Sequence, residues 1–250
     1  MKIVACVKRV PTTEAIAKPT SDGQGLDPAG WQYMLSFYDE LALEEALKTK
    51  EKFGGDVTVV TLGPSEASKE VRECLARGAD NGVILKEADP STRDPRSTAK
   101  ALAAKIRALG AELVFTGRVA TDRDHAAVGP MLATYLGWAC VSEVFALELT
   151  ETGGTAKRET EHGVESVSFS LPAVITCNKG LNEPRRASLK GIMGAKAKPI
   201  AEEQPEGVPN QVIVKKVELP PARKAGRIIG EGAAAVPALI TALRNEAQVL

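Results

Sequence analysis

Several things are scarce in this sequence, and each scarcity excludes something. Aromatic residues fill only 4% of its 250 positions, so a hydrophobic core has to be assembled from Ala, Val, Leu and Ile. Net charge is zero, with 32 Lys plus Arg against 32 Asp plus Glu, and a nucleic-acid surface needs a basic excess. Only two histidines occur, His125 and His162, and their separation argues against a His-based acid–base unit. The four cysteines (Cys6, Cys74, Cys140 and Cys177) have no C-x-x-C spacing, so neither a zinc site nor a disulfide framework is expected. Each lies in an apolar segment and reads as a small buried hydrophobe.

Other signatures are missing as well. No apolar run approaches the roughly 18 residues of a membrane helix. The opening MKIVACVKRV lacks the longer apolar stretch and cleavage site of a secretory signal and reads as a first strand, so a cytoplasmic location is expected. There is no G-x-S-x-G, H-E-x-x-H or G-x-x-x-x-G-K-[ST], so nucleophile, metalloprotease and P-loop chemistry lack their motifs. No catalytic residue and no metal ligand set is expected.

What is there is an ordinary globular composition, 44% hydrophobic and 26% charged, in a chain long enough to bury a real core. Residues 2–7, 56–62, 81–86 and 111–116 are short apolar runs that read as buried strands. Between them, 39–53, 66–77 and the segment opened by Asp94–Pro95 read as helices, with Gly54–Gly55, Gly78 and Gly110 as stops. A further helix follows from about Ala126 to Leu136. Strands alternating with helices of this length predict an α/β fold around a mostly parallel sheet with helices on both faces.

Two regions break the rhythm. Residues 11–36 are rich in Pro, Gly and polar residues and predict a long excursion that includes a hairpin. From Cys140, three successive strands over 141–149, 155–161 and 164–171 predict antiparallel additions, and Glu161 and Glu165 read as exposed hairpin carboxylates. Another buried strand, 171–177, then ejects a charged loop. A short helix resumes from Ser188 with Leu189, Ile192 and Met193 on one face. The loop reads equally as a surface connection or a partner site. Residues 201–250 predict an extended arm ending in a helix over 234–248, distinct from a body over 1–200.

The loop Gly117 to Gly129 follows the fourth strand, where parallel sheets place ligands beside free helix N–H groups. It reads either as a phosphate-binding turn or as an ordinary βα loop, since glycine stands only at its ends. Ser36–Phe37–Tyr38–Asp39 is a second candidate wall. Tyr38 is suited either to stacking or to local packing, and Asp39 to a first-turn charge.

Taken together, several ordered motifs resemble the beta (small) subunit of electron-transfer flavoproteins along nearly the whole chain. The most specific are Glu161-His-Gly-Val-Glu165, Leu171-Pro-Ala-Val-Ile-Thr176, Leu181-Asn-Glu-Pro-Arg185, Ser188-Leu189 and Gly191-Ile-Met193. Val7-Lys-Arg-Val-Pro11, Tyr38 to Ala46, Arg77-Gly-Ala-Asp80 and Val128-Gly-Pro130 support them. The resemblance implies a Rossmann-like fold and an electron carrier without catalytic residues of its own. It implies a heterodimer whose alpha subunit holds most of a shared FAD, with an AMP, or alternatively a second FAD, in the beta subunit. Carried over residue by residue, the nucleotide site comprises Cys6, Ser36, Phe37, Tyr38, Asp39, Leu62, Gly117, Arg118, Val119, Ala120, Thr121, Asp122, Asp124, Ala126 and Ala127.

The same resemblance makes Leu181 to Lys198 a recognition loop for acyl-CoA or related dehydrogenases, upstream of a quinone oxidoreductase. Leu181, Asn182, Glu183, Pro184, Arg185, Leu189, Ile192 and Met193 form its docking surface, with Leu189 at the centre. Ser36–Phe37 replaces the family's Asn-Pro, and Val119-Ala-Thr121 its Gln-Ala-Ile. Arg186 replaces a tyrosine, and Gly194 and Ala197 stand where lysines are frequent, which implies a specialised partner.

Overall fold

The computed structural model describes residues 1–223 and 225–250. Its centre is a nine-stranded sheet built from β1 (Lys2–Cys6), β4 (Asp56–Gly63), β5 (Asn81–Lys86), β6 (Leu113–Gly117), β7 (Ala139–Leu149), β8 (Gly153–Thr160), β9 (Gly163–Ser170), β10 (Ala173–Cys177) and β11 (Ile200–Glu203). The spatial order is β11-β5-β4-β1-β6-β10-β7-β8-β9. All neighbours from β11 to β7 run parallel, and β8 and β9 add antiparallel at the far edge. The remaining strands, β2 (Arg9–Pro11) and β3 (Tyr33–Leu35), pair antiparallel and close the base of the 11–36 excursion.

Alternation along the central strands sends side chains to two separate cores. On one face Ile3, Ala5, Val57, Val59, Phe115 and Ile175 pack under α1 (Phe37–Phe53) and α2 (Ser68–Arg77). On the other, Val4, Cys6, Val60, Val83, Val114 and Val174 meet α3 (Pro95–Leu109) and α4 (Val128–Leu136). A strand buried on both faces has to be apolar at every position, which is why these strands read as continuous runs.

Several expectations are corrected. The first helix starts at Phe37 rather than Asp39, and α4 starts at Val128 rather than Ala126 because Ala126 has a left-handed φ of 51°. Cys140, at the start of β7, is exposed, unlike the other three cysteines. Glu161 and Glu165 are exposed as expected, and Glu165 also pairs with Arg158 across β8 and β9 at 2.7 Å. A short edge strand, β11, spans positions 200 and 201, where body and arm were expected to meet. The final helix is shorter than the pattern suggested. α6 (Val236–Ala242) is continued by a π turn over Leu243–Ala247. No helix among the described residues is long and apolar enough to cross a membrane.

Candidate functional site

The chain leaves β1 for β4 and β5 on one side and returns to β6 on the other, so the strand order reverses between β1 and β6. Such reversals open a crevice above the carboxyl ends of the strands. Here it is lined by Cys6 at the end of β1 with Val7 and Lys8 beyond it, Val60 and Leu62 of β4, and Thr116 and Gly117 at the end of β6 with Arg118, Val119 and Ala120 beyond it. Pro90, Arg93, Pro95, Thr98 and Leu102 close it from the α3 side, and Arg123, His125, Ala126, Ala127 and Val128 from the α4 side.

One carboxylate holds the reversal together. Asp39, only 7% exposed, accepts from the Lys8 amide at 2.8 Å and from the Gly117 amide at 3.0 Å. It therefore bridges the ends of β1 and β6 from the first turn of α1, a larger task than the first-turn charge its position suggested. Burial pushes its carboxyl up to about 7, against the two amides and the Lys8 ammonium, which favour the ionised form. Gly117 is required by this closeness. A Cβ there would stand 2.5 Å from Asp39 Oδ1 and 2.8 Å from Tyr38 Cβ. The space its missing side chain leaves is thus filled by α1.

The loop after β6 is held in an unusual shape. Asp124 and Ala126 both carry positive φ, 48° and 51°, which non-glycine residues rarely adopt. Ser36, buried at the start of α1, accepts from the Thr121 amide through its hydroxyl at 3.4 Å. Asp122 pairs with Lys8 at 2.6 Å.

Positive charge gathers on the opposite wall. Arg93 uses Nε to reach Glu87 at 2.6 Å, while its Nη1 is buried without a partner among the described residues. Arg123 donates to the Ser91 carbonyl at 2.9 Å, and no carboxylate among the described residues pairs with it. A buried guanidinium nitrogen left unsatisfied is costly, and the two arginines make this wall of the crevice positive.

Of the expected nucleotide-site residues, Cys6, Asp39, Leu62, Gly117, Arg118, Val119, Ala120, Ala126 and Ala127 line this crevice. Ser36, Thr121 and Asp122 brace it from behind, and Asp124 strains its loop. Phe37 and Tyr38 turn to the neighbouring surface, where their rings meet edge to face and the Arg118 guanidinium lies 5.6 Å from the Tyr38 ring centre. Sequence reasoning missed Lys8, Arg93 and Thr98 as wall residues, whereas Arg123 and His125 lie inside the Gly117–Gly129 loop it had singled out. Only the Asp94–Pro95 helix start pointed towards Arg93 and Thr98.

The second region begins where β10 ends. Asn182 donates through Nδ2 to the Leu41 carbonyl and to Glu45, both at 3.0 Å. Arg185 reaches Glu44 at 2.9 Å and also pairs with Glu51, so its guanidinium is held well above its usual pKa by those hydrogen bonds. Ser188 caps α5 (Leu189–Ala195) by accepting from the Gly191 amide at 3.0 Å. Arg72 of α2 donates to the carbonyls of Ala195 and Lys198, and Ala195 is buried there.

This mooring turns the apolar face outward. Leu189 is 75% exposed, Met193 66% and Ile192 49%. Glu183 also faces solvent, Leu181 and Pro184 are half-buried, and Asn182 and Arg185 face α1. The expected docking residues therefore divide into an exposed surface and its moorings.

Comparison with known proteins agrees with this arrangement. The profile of the electron transfer flavoprotein domain matches residues 28–206. The chain is 35% identical over 260 residues to the electron transfer flavoprotein subunit beta of Bacillus subtilis, covering 100% of both. It is 37% identical over 253 residues to that of Bradyrhizobium diazoefficiens, again with 100% coverage of both. A mitochondrial subunit beta of Oryza sativa subsp. indica is 37% identical over 257 residues, also at 100% coverage of both. With this fold, this crevice and matches running from end to end, the chain belongs to the electron transfer flavoprotein family, among its beta subunits.

Proposed function

We propose that the chain works as the beta half of a heterodimeric electron carrier, seating an adenine nucleotide in the crevice and presenting α5 to its redox partners. The observation that carries the reading is a crevice that Arg93 and Arg123 line together with the apolar side chains of Val60, Leu62 and Leu102. In this reading the two arginines face the phosphate and the apolar side chains face the base. Between AMP and a second FAD the reading takes AMP, because Tyr38-Asp39-Glu40 resembles the AMP-binding members of the family.

FAD, shared with and mostly held by an alpha subunit, supplies the electron-accepting and electron-donating chemistry when bound. This chain's residues bind and orient. Tyr38, braced by Phe37 and Arg118, forms an aromatic wall beside the crevice. Leu189, Ile192 and Met193 offer an apolar anchor to an acyl-CoA or related dehydrogenase. A small anchor of this kind suits a partner that must leave quickly. A quinone oxidoreductase or another acceptor takes the electrons onward. The reading includes a cytoplasmic place of work. It also assigns the arm over 201–250 to the alpha subunit, because Val212, Ile213, Ile228 and Leu239 are exposed along it.

The test is to purify the chain with its alpha partner, release the bound nucleotides and count them. One FAD and one AMP per heterodimer is the expected result. Two FAD overturns the AMP assignment, and a nucleotide-hydrolysing monomer overturns the carrier reading.

A further inference from the structure

The arm is not free along its length, and the place where it is fastened matters. α3 opens with Asp94 as its cap, and Asp94 Oδ1 accepts from the Ser97 amide at 2.6 Å. Its other oxygen, Oδ2, does not serve the helix. It accepts from two amides of the arm, Gln211 at 2.6 Å and Val212 at 3.1 Å. The arm answers through Asn210, whose Oδ1 accepts from the Asp94 amide at 3.1 Å and from the Ser97 hydroxyl at 2.7 Å. Asn210 Nδ2 donates in turn to the Thr92 carbonyl.

Asp94 is buried, and burial by itself would raise its pKa. The donors from Ser97, Gln211 and Val212 outweigh that and hold it down to about 2. Asp94 is therefore an anion that the arm helps to satisfy.

The residues fastened in this way are also the crevice wall. Arg93 and Pro95 flank Asp94 directly, and Thr98 lies one turn on. Arg93, like Arg96 in the first turn of α3, has a buried nitrogen with no partner among the described residues. Among the described residues, no other arm residue bonds through its side chain on both sides of the helix start; Glu203 and Glu206 pair instead with Lys105 and Lys100 further along α3. Past Val212 the arm is next held through Lys215, whose carbonyl accepts from Gln24 Nε2 at 3.4 Å, and through the Val217 amide, which donates to the Gly23 carbonyl at 2.7 Å.

We propose that Asn210 and Asp94 form a latch by which the arm holds residues 92–98 in the shape that receives the nucleotide phosphate. Asn210 is then a positioning residue, acting on the ligand through Thr92, Asp94 and Ser97. The proposal rests on the nucleotide reading above. Linkage makes the effect reciprocal: if the docked arm tightens nucleotide binding, bound nucleotide tightens the arm by the same factor.

The experiment uses the heterodimer stripped of its non-flavin nucleotide, with AMP as probe. AMP is titrated calorimetrically into the wild type, Asn210→Ala and Gln211→Ala, the last keeping its backbone donor. Amide hydrogen exchange at Gln211 and Val212 is followed with and without AMP. The latch predicts AMP binding at least about fivefold weaker in Asn210→Ala and unchanged in Gln211→Ala. It also predicts slower exchange at the two amides on adding AMP to the wild type, and no such slowing in Asn210→Ala. Equal affinities in wild type and Asn210→Ala overturn the latch alone, as does weakened binding without the exchange effect. A wild-type heterodimer that binds no adenine nucleotide overturns the nucleotide reading and the latch with it.

Discussion

The crevice and the docking segment are both built against α1, yet they use the helix in opposite ways. At its first turn, Asp39 and Ser36 draw backbone amides inward, so the crevice is organised by buried hydrogen bonds that leave little slack. Further along, Glu44, Glu45 and Glu51 hold Arg185 and Asn182, and the product is an exposed apolar face. Damage at the first turn should therefore reach the fold itself. Damage along the second half should reach recognition first.

Four changes probe that contrast, taken from the largest expected cost in stability to the smallest. Gly117→Ala sets a methyl group against Asp39 and Tyr38, and we expect a loss of about 3 kcal/mol in chemical denaturation. A loss under about 1 kcal/mol would mean that α1 can withdraw and that the crevice is not rigid. Glu44→Ala leaves Arg185 with Glu51 alone. Because Arg185 is partly exposed, we expect about 2 kcal/mol, below the cost of breaking a fully buried pair. Electron transfer from the dehydrogenase should also slow in this variant, since α5 loses its hold.

Asp39→Asn tests the crevice by pH. With its folded pKa at about 7, Asp39 keeps a proton that the unfolded chain releases near pH 4. Its contribution is therefore fully present below pH 4 and declines as pH rises to 7, by at most about 1.4 kcal/mol per unit. Stability measured from pH 4 to 7 should fall more steeply in wild type than in Asp39→Asn. Parallel curves would show that the carboxylate is ionised throughout. Last, Leu189→Ala should alter stability by less than about 0.5 kcal/mol. It should nevertheless cut the rate of reduction by the partner about tenfold or more at limiting concentrations, with the flavin spectrum unchanged. An unaffected rate removes Leu189 as the anchor.

How much of this was legible in the sequence depends on the range of the interactions. The buried strands and the Asp94–Pro95 helix start were visible because apolar runs and caps are local signals. The face formed by Leu189, Ile192 and Met193 was visible from helical spacing alone. The edge strand β11 was not, since Ile200-Ala-Glu-Glu203 is half charged and takes its conformation from pairing with β5. Nor was the bridging role of Asp39, which depends on amides 31 positions upstream and 78 downstream. The moorings of Arg185 were hidden for the same reason, its partners lying 141 and 134 residues away. The left-handed turn at Ala126 carried no glycine to announce it.

The insertion of β10 between β6 and β7 has a consequence for the order in which the molecule can be assembled. Within the sheet, β10 is what connects the β7–β9 meander to the strands before it. It takes its place only after residues 139–170 have been made, and such distant pairings form late. The docking segment follows β10 immediately, and its moorings lie on helices that pack against the same sheet. An unfinished chain has neither the anchor strand nor the fixed apolar face. Readiness for partners is thus tied to the seating of β10, whose entry into the sheet serves as a proof of folding.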